Sequence, residues 1–219
     1  MKKYFIAAML CMVMLVSVVP TAFAASNYDV CMAAIREQQE IQAQAHRTAN
    51  ALRKQGYSDS STYVKAAKST WAAAQAEIQA YKNLSRYTWD DIRILTTTVY
   101  HEAGCTTEQL RQYVAQVALN RVKNSRFPNT IYGVITQRGQ YSTKYATVEA
   151  AQAIKNKDAA NGTYNWETCK NSVIQAMMGK TDMPGNVLYQ ANFTQGSGLW
   201  KSVYFNSGWY ASTSYFCYG

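Results

Sequence analysis

The stretch TWDDIRILTTTVYHEAG, residues 88–104, sets the architecture of the chain. Thr88 can cap a helix, and Asp90 and Asp91 favour its positive end. Ile92, Leu95 and Val99 then recur at steps of three and four, which predicts one apolar stripe. Glu102 is the next position on that stripe, whereas Arg93 and Thr97 fall on the other side. A carboxyl group is thus expected to point inward with the apolar residues, just before Gly104 ends the helix.

Downstream, Thr106 or Thr107 caps a second helix whose inner face is Leu110, Val114, Val117 and Ala118. NSRFPNT breaks it, a short turn of helix follows at Ile131–Ile135, and TQRGQYS is a polar loop. Residues 146–156 and 165–179 read as further helices, and DMPGN as a turn. Val187 to Phe193 and Ser202 to Tyr218 are rich in aromatic residues and predict short strands or loops. The fold class is therefore mainly α with a small β or irregular part.

Upstream, residues 27–86 contain no proline and one glycine, Gly56. Two helix-prone runs, roughly 27–54 and 60–84, flank QGYSDSST, with Gly56 suited to a C-cap and Asp59 or Ser60 to the next N-cap. In the second run Tyr63, Ala66, Ala67, Trp71, Ala74, Ile78 and Tyr81 make one helical stripe. An antiparallel helical hairpin is expected over 25–87, ahead of a catalytic domain over 88–219.

The first 24 residues carry Lys2 and Lys3, an apolar run from Tyr4 to Val19, and the small-x-small site Ala22-Phe23-Ala24. They read as a secretory signal peptide cleaved after Ala24. No later apolar segment reaches the ~20 residues that span a bilayer, so a secreted protein without membrane contact is expected. Cys31, Cys105, Cys169 and Cys217 remain after cleavage, and in an oxidising compartment they suggest two disulfides with three alternative pairings. The formal charge of +9 falls to +7 without Lys2 and Lys3. A basic secreted chain suits an anionic surface such as a bacterial cell wall. No block of basic residues points to nucleic acid.

Three chemistries compete for HEAGC, residues 101–105. A zinc protease needs a second histidine at the fifth position, where Cys105 stands, and the other histidine is His46 in the N-terminal segment. No metal or cofactor is implied. A Cys–His nucleophile from His101 and Cys105 requires the helix to continue through Gly104. A lone general acid fits better, because a glutamate among apolar groups has its pKa raised and can deliver a proton to a glycosidic oxygen. The competing structural reading pairs an inward Glu102 with a buried arginine such as Arg121.

VYHEAG followed by VAQVALNRVKNSRFPNTIYGVITQRGQYS resembles the SleB-type cell wall hydrolase family, the spore-cortex-lytic enzymes and their relatives. The shared pattern runs through Tyr100, Glu102 and Ala103, then Asn120, Arg121 and Val122. It continues through Phe127, Pro128, Thr130, Ile131, Val134, Gly139, Gln140, Tyr141 and Ser142. The resemblance implies a lysozyme-like or lytic-transglycosylase-like fold and cleavage of peptidoglycan between N-acetylmuramic acid and N-acetylglucosamine. It implies Glu102 as the single acid and base. It also implies a sugar cleft lined by Gln140, Tyr141 and Ser142, with Tyr189 and Asn192 in the later aromatic-x-x-Asn segment. Asn120 and Arg121 stay open between scaffolding behind the site and substrate contact. The expectation is a secreted, wall- or spore-associated glycan-cleaving enzyme acting on peptidoglycan, with anionic wall polymers as further partners. The alternative is a non-catalytic wall or spore-coat binding protein that keeps the same shell.

Overall fold

The computed structural model describes residues 25–208 and 210–219, and the signal peptide expected over 1–24 lies outside them. The chain divides into two compact units, one up to Lys82 and one from Asn83 to the end.

The first unit holds α1 (Asn27–Lys54) and most of α2 (Thr62–Leu84). Ser26 and Asp29 cap α1 reciprocally. The turn is built around Asp59, which accepts from Arg53 at 2.7 Å and Lys68 at 2.9 Å. Those two cations hold the exposed Asp59 carboxyl down at about 2, the Arg53 hydrogen bond contributing most. Asp59 is therefore used as a clamp and does not cap α2. Ser61 does that instead, its Oγ accepting from Val64 N. Gln42 donates to Gln75 at 2.7 Å, which sets the two helices antiparallel, as a hairpin requires. Val64, Ala67, Ala74 and Ile78 are buried along α2, but Tyr63 and Trp71 are exposed. The stripe is thus narrower than the sequence suggests. One partner helix covers one narrow face, and alanines at the seam leave the large rings outside it.

The second unit is helical with one small sheet. It contains α3 (Trp89–Ala103), α4 (Glu108–Lys123), α5 (Ile131–Thr136), a 3-10 turn (Thr143–Ala146), α6 (Val148–Asn161) and α7 (Asn165–Met177). Strands β1 (Val187–Ala191), β2 (Gly198–Asn206) and β3 (Ala211–Tyr218) follow. They form an antiparallel sheet in the order β1-β3-β2, with Val187 and Gly198 both opposite Tyr218. The expected mainly α architecture with a small β part, preceded by a helical hairpin, is what forms.

α3 is the central helix, packed by α4, α5, α6, α7 and the 3-10 turn. Thr88 caps it as expected, and Asp91 completes the cap by accepting in return from Thr88 N. Burial is wider than one stripe: Thr96, Thr97 and Thr98 have no exposure at all. Thr97, expected on the outer face, is accommodated because its hydroxyl bonds back to Arg93 O at 2.9 Å, and Thr98 does the same to Ile94 O at 3.0 Å. Arg93 bonds the carbonyls of Ala146 and Thr147, fastening the 3-10 turn to α3.

α4 is also buried nearly all round, so its polar side chains must find partners inside. Arg111 donates to Thr106 O and to Ser172 Oγ. Asn120 donates to Pro184 O at 2.8 Å and Val187 O at 3.0 Å, and Arg121 donates to Leu188 O at 2.7 Å. Tyr113 donates to Asp182 and accepts from Lys201, both at 2.7 Å. This row of bonds ties α4 to the DMPGN turn and the sheet.

The N-terminus of α7 has no cap of its own, since Tyr164 contributes no side-chain bond. Asp158 of α6 supplies it, accepting from Trp166 N at 2.7 Å, Thr163 Oγ1 at 2.8 Å and Asn165 Nδ2 at 3.2 Å. Burial works against the Asp158 charge, but the three donors outweigh it and lower the pKa. Asp158→Ala is expected to cost about 2 kcal/mol by orphaning these donors, read from urea unfolding. Because the folded pKa is depressed, this contribution is present above the unfolded value and is lost as the pH falls through the folded one. The wild-type and variant curves should converge in acid.

Candidate active site

α3 leaves the core at its last turn. There the stripe that began with Ile92 opens into a groove of about 490 Å³, formed by the end of α3, the turn to α4, and residues from α6, α7 and the β2–β3 turn. Tyr100, packed against Ala151, Ile154 and Trp166, anchors this turn to α6 and α7. Glu102 lines the groove with His101, Cys105, Lys157, Asn165 and Tyr210. The expectation that the Glu102 side chain enters the apolar core needs correction. The residue is accessible through the groove, and the surrounding atoms remove part of the water from its carboxyl. That desolvation raises its pKa.

His101 stacks on Tyr145 with centroids 4.5 Å apart and planes 6° off parallel. Burial first, and the Lys157 charge second, lower the His101 pKa. The ring therefore belongs to the wall of the groove and favours the neutral form. Burial raises the hydroxyl pKa of Tyr141 and Tyr145, and in both the Glu102 carboxylate adds to the rise. Both rings therefore lie within electrostatic reach of Glu102.

None of the five residues expected to line a sugar cleft, Gln140, Tyr141, Ser142, Tyr189 and Asn192, is among those lining the groove. The Arg121 guanidinium lies 5.5 Å from the Tyr141 ring centre, and the Glu102 charge reaches the Tyr141 hydroxyl. Tyr189, on β1, faces the same guanidinium at 5.9 Å. Its ring is fixed by Gly196, where a Cβ would stand 2.7 Å from the ring. Ser142 caps the 3-10 turn by accepting from Lys144 N. Gln140 and Asn192 are exposed, Asn192 just beyond the end of β1. Asn120 and Arg121 are buried and bonded to backbone carbonyls, which is the scaffolding arrangement. Arg121 faces aromatic rings and Leu188 O, so it does not pair with Glu102.

Lys157, Asn165, Tyr210 and Tyr145 are not legible in the sequence as site residues. Only the packing of α6 and α7 on α3 brings the first two to Glu102. A lysine on a helix of alternating charge carries no distinguishing signal.

Among the described residues Cys31, Cys105, Cys169 and Cys217 are free thiols, so neither of the two expected disulfides is shown. Cys31 bonds Asn27 Oδ1, and Cys217, in the central strand, accepts from Gln195 N. Cys169 is buried and its thiol is pushed up to about 11, chiefly by burial. Cys105 is exposed at the groove. Among the described residues no group of three or more His, Cys, Asp or Glu is placed to hold a metal ion.

A mainly helical unit that presents one desolvated carboxyl in an open groove is a frame suited to acid chemistry on an extended polymer. Comparison with known proteins agrees with that class. The cell wall hydrolase family profile matches residues 107–213, beginning five residues after Glu102. A spore cortex-lytic enzyme of Bacillus cereus is 31% identical over 114 residues, 52% of this chain and 39% of that protein. The chain thus spans about two fifths of the length of the curated relatives it matches. The catalytic domain of the germination-specific lytic transglycosylase SleB from Bacillus anthracis is 25% identical, with a TM-score of 0.39, over 60% of this chain and 96% of that one. The catalytic domain of the Bacillus cereus SleB protein is 27% identical, with a TM-score of 0.40, over 60% and 91%. Residues 107–213 of the second unit are thus similar to the cell wall hydrolase family.

Proposed function

We propose that the chain cleaves the glycan strands of peptidoglycan between N-acetylmuramic acid and N-acetylglucosamine, with Glu102 as acid and then base. The observation that carries this reading is the raised pKa of the one carboxyl among the described residues lining the groove. In its protonated form Glu102 gives its proton to the bridging oxygen, and the glycosidic bond breaks. The resulting carboxylate takes the proton of the muramyl C6 hydroxyl, whose oxygen closes a 1,6-anhydro ring on C1. One group thus serves both steps, whereas glycoside hydrolases ordinarily use a pair of carboxylates. The similarity to a spore cortex-lytic enzyme of Bacillus cereus supports a wall glycan as the substrate.

On this reading Tyr141 and Tyr189 form an aromatic wall for the sugars, with Gln140, Ser142 and Asn192 at its polar rim. The domain boundaries follow: a leader over 1–24, a hairpin over 25–87 and a catalytic domain over 88–219. So does a secreted, wall- or spore-associated site of action. Among the described residues no helix is long and apolar enough to cross a membrane.

Digestion of purified peptidoglycan followed by mass spectrometry tests the reaction. Transglycosylation is expected to release muropeptides with anhydro ends, one water lighter than hydrolytic products. Reducing ends alone would show a hydrolase, and no soluble product would favour the wall-binding protein.

A further inference from the structure

The turn that follows Glu102 carries Cys105, whose thiol is exposed at the groove. Cys169 stands on α7, which packs on both α3 and α4, and it has no exposure. Arg111 of α4 fixes how the two are placed. Its guanidinium donates to Thr106 O, next to Cys105, and to Ser172 Oγ at 3.2 Å. Ser172 is three residues beyond Cys169, so the two share one face of α7, a turn apart. A guanidinium is small, and one group bonded at both places holds the Cys105 turn against the Cys169 face of α7. The charges of Arg111 and Cys105 both reach the Cys169 thiol. The other two described cysteines are buried elsewhere, Cys31 in the first unit and Cys217 in the sheet.

Exposure divides the roles of the pair. Cys105 meets a reagent from solution first, whereas Cys169 is closed to it. The Cys169 thiol is pushed up to about 11 by burial, with the Asp158 and Cys105 charges adding and Arg111 opposing, so it is inert toward solution reagents. A group attached to Cys105, however, comes within its reach.

We propose that Cys105 and Cys169 are a resolving pair, in which Cys105 captures a disulfide oxidant at the groove and Cys169 displaces it by closing a disulfide between the α3–α4 turn and α7. In the first step the Cys105 thiolate attacks one sulfur of a disulfide RSSR. That S–S bond breaks, a bond from Cys105 to SR forms, and one RS⁻ leaves and takes up a proton. In the second step the Cys169 thiolate attacks the Cys105 sulfur, and the other RS⁻ leaves and is protonated in turn. Two protein thiols are oxidised, RSSR is reduced to two RSH, and the two cysteine protons end on the leaving thiols. Closure swings the Cys105 sulfur off the groove and onto α7. The consequence for cleavage rests on the reading of the groove as the acid site. An adduct on Cys105 stands beside Glu102 and excludes a sugar, whereas the closed pair leaves the groove open.

The test treats the full chain with oxidised glutathione. The wild-type intact mass is expected to fall by two hydrogens with no glutathione retained on Cys105. Proteolysis without reduction should then release one peptide pair, joining Cys105 to Cys169. The oxidised protein should melt about 10 °C above the reduced one. Cys169→Ala is expected to keep glutathione on Cys105 and to lose most of its cleavage on treatment, with recovery in dithiothreitol, while treated wild type stays active. The wild-type mass and peptide map do not depend on the variant folding. Glutathione that stays on Cys105 in wild type overturns the proposal, as does a wild type whose two thiols remain unreacted. A disulfide from either cysteine to Cys31 or Cys217 overturns it too. If the expected masses and peptide pair appear but no form cleaves the wall, the resolving pair stands and the acid reading of the groove falls.

Discussion

Glu102→Gln is expected to lower the rate of wall cleavage by about 10³-fold or more, while the protein stays folded. Glutamine keeps the size of the side chain and cannot transfer the proton, so both proposed steps fail together. The pH profile of the wild-type enzyme gives an independent reading. Burial raises the Glu102 pKa, so the acid form persists to higher pH than in an ordinary glutamate. Activity that depends on that form should decline above the raised value, by about tenfold per pH unit once the carboxylate dominates. The same shift fixes a stability effect. A folded pKa above the unfolded one means that the contribution of Glu102 is fully present below the unfolded value. It is lost as the pH rises through the folded value. The glutamine variant carries no such loss, so it should melt at a higher temperature than wild type at neutral pH, and the difference should vanish in acid. A variant that is both inactive and more stable is what removal of a desolvated catalytic group produces. Retained cleavage would remove Glu102 from the chemistry.

The parts of this molecule that are legible in the sequence are those set by neighbours along the chain. The cap at Thr88, the helix starting after Thr107 and the break at NSRFPNT depend on local backbone bonds, and all three form as expected. What depends on distant packing is not legible in the same way. The buried threonines of α3 have the composition of a solvated face. Thr97 and Thr98 are inside because their hydroxyls return to the carbonyls of their own helix, whereas the buried Thr96 hydroxyl has no hydrogen-bond partner among the described residues. The inward stripe holds through Val99 and then fails at Glu102, because the helix itself leaves the core at that turn and the next stripe position meets a groove. Lys157 and Asn165 reach this groove only through the way α6 and α7 pack on α3. Trp71 has the spacing of a core stripe, but a single partner helix is too narrow to cover it.

Arg121→Ala should unfold the second unit more readily than any single change at the groove, by about 3–4 kcal/mol. The guanidinium belongs to a residue that is 4% exposed, and it donates to Leu188 O at 2.7 Å. Its remaining surface meets aromatic rings, with Phe127 at 5.3 Å, Tyr141 at 5.5 Å and Tyr189 at 5.9 Å. Alanine would leave a carbonyl without its donor and a space framed by three rings, so the cost combines a lost charged hydrogen bond, lost cation–π attraction and a cavity. Arg121→Met, of similar length, fills more of that space but still orphans Leu188 O, and should recover about half of the loss. Arg121→Lys keeps the charge but not the planar fork, and should fall between methionine and wild type. The order wild type, lysine, methionine, alanine in urea midpoint is the signature of a scaffold. A substrate-contacting arginine would instead raise KM at an unchanged midpoint. Tyr141 relates this scaffold to the groove, because its ring faces Arg121 at 5.5 Å and its hydroxyl is within electrostatic reach of Glu102. On the proposed reading, cleavage measured well below each variant's melting temperature should also fall, as the Tyr141 ring loses its support.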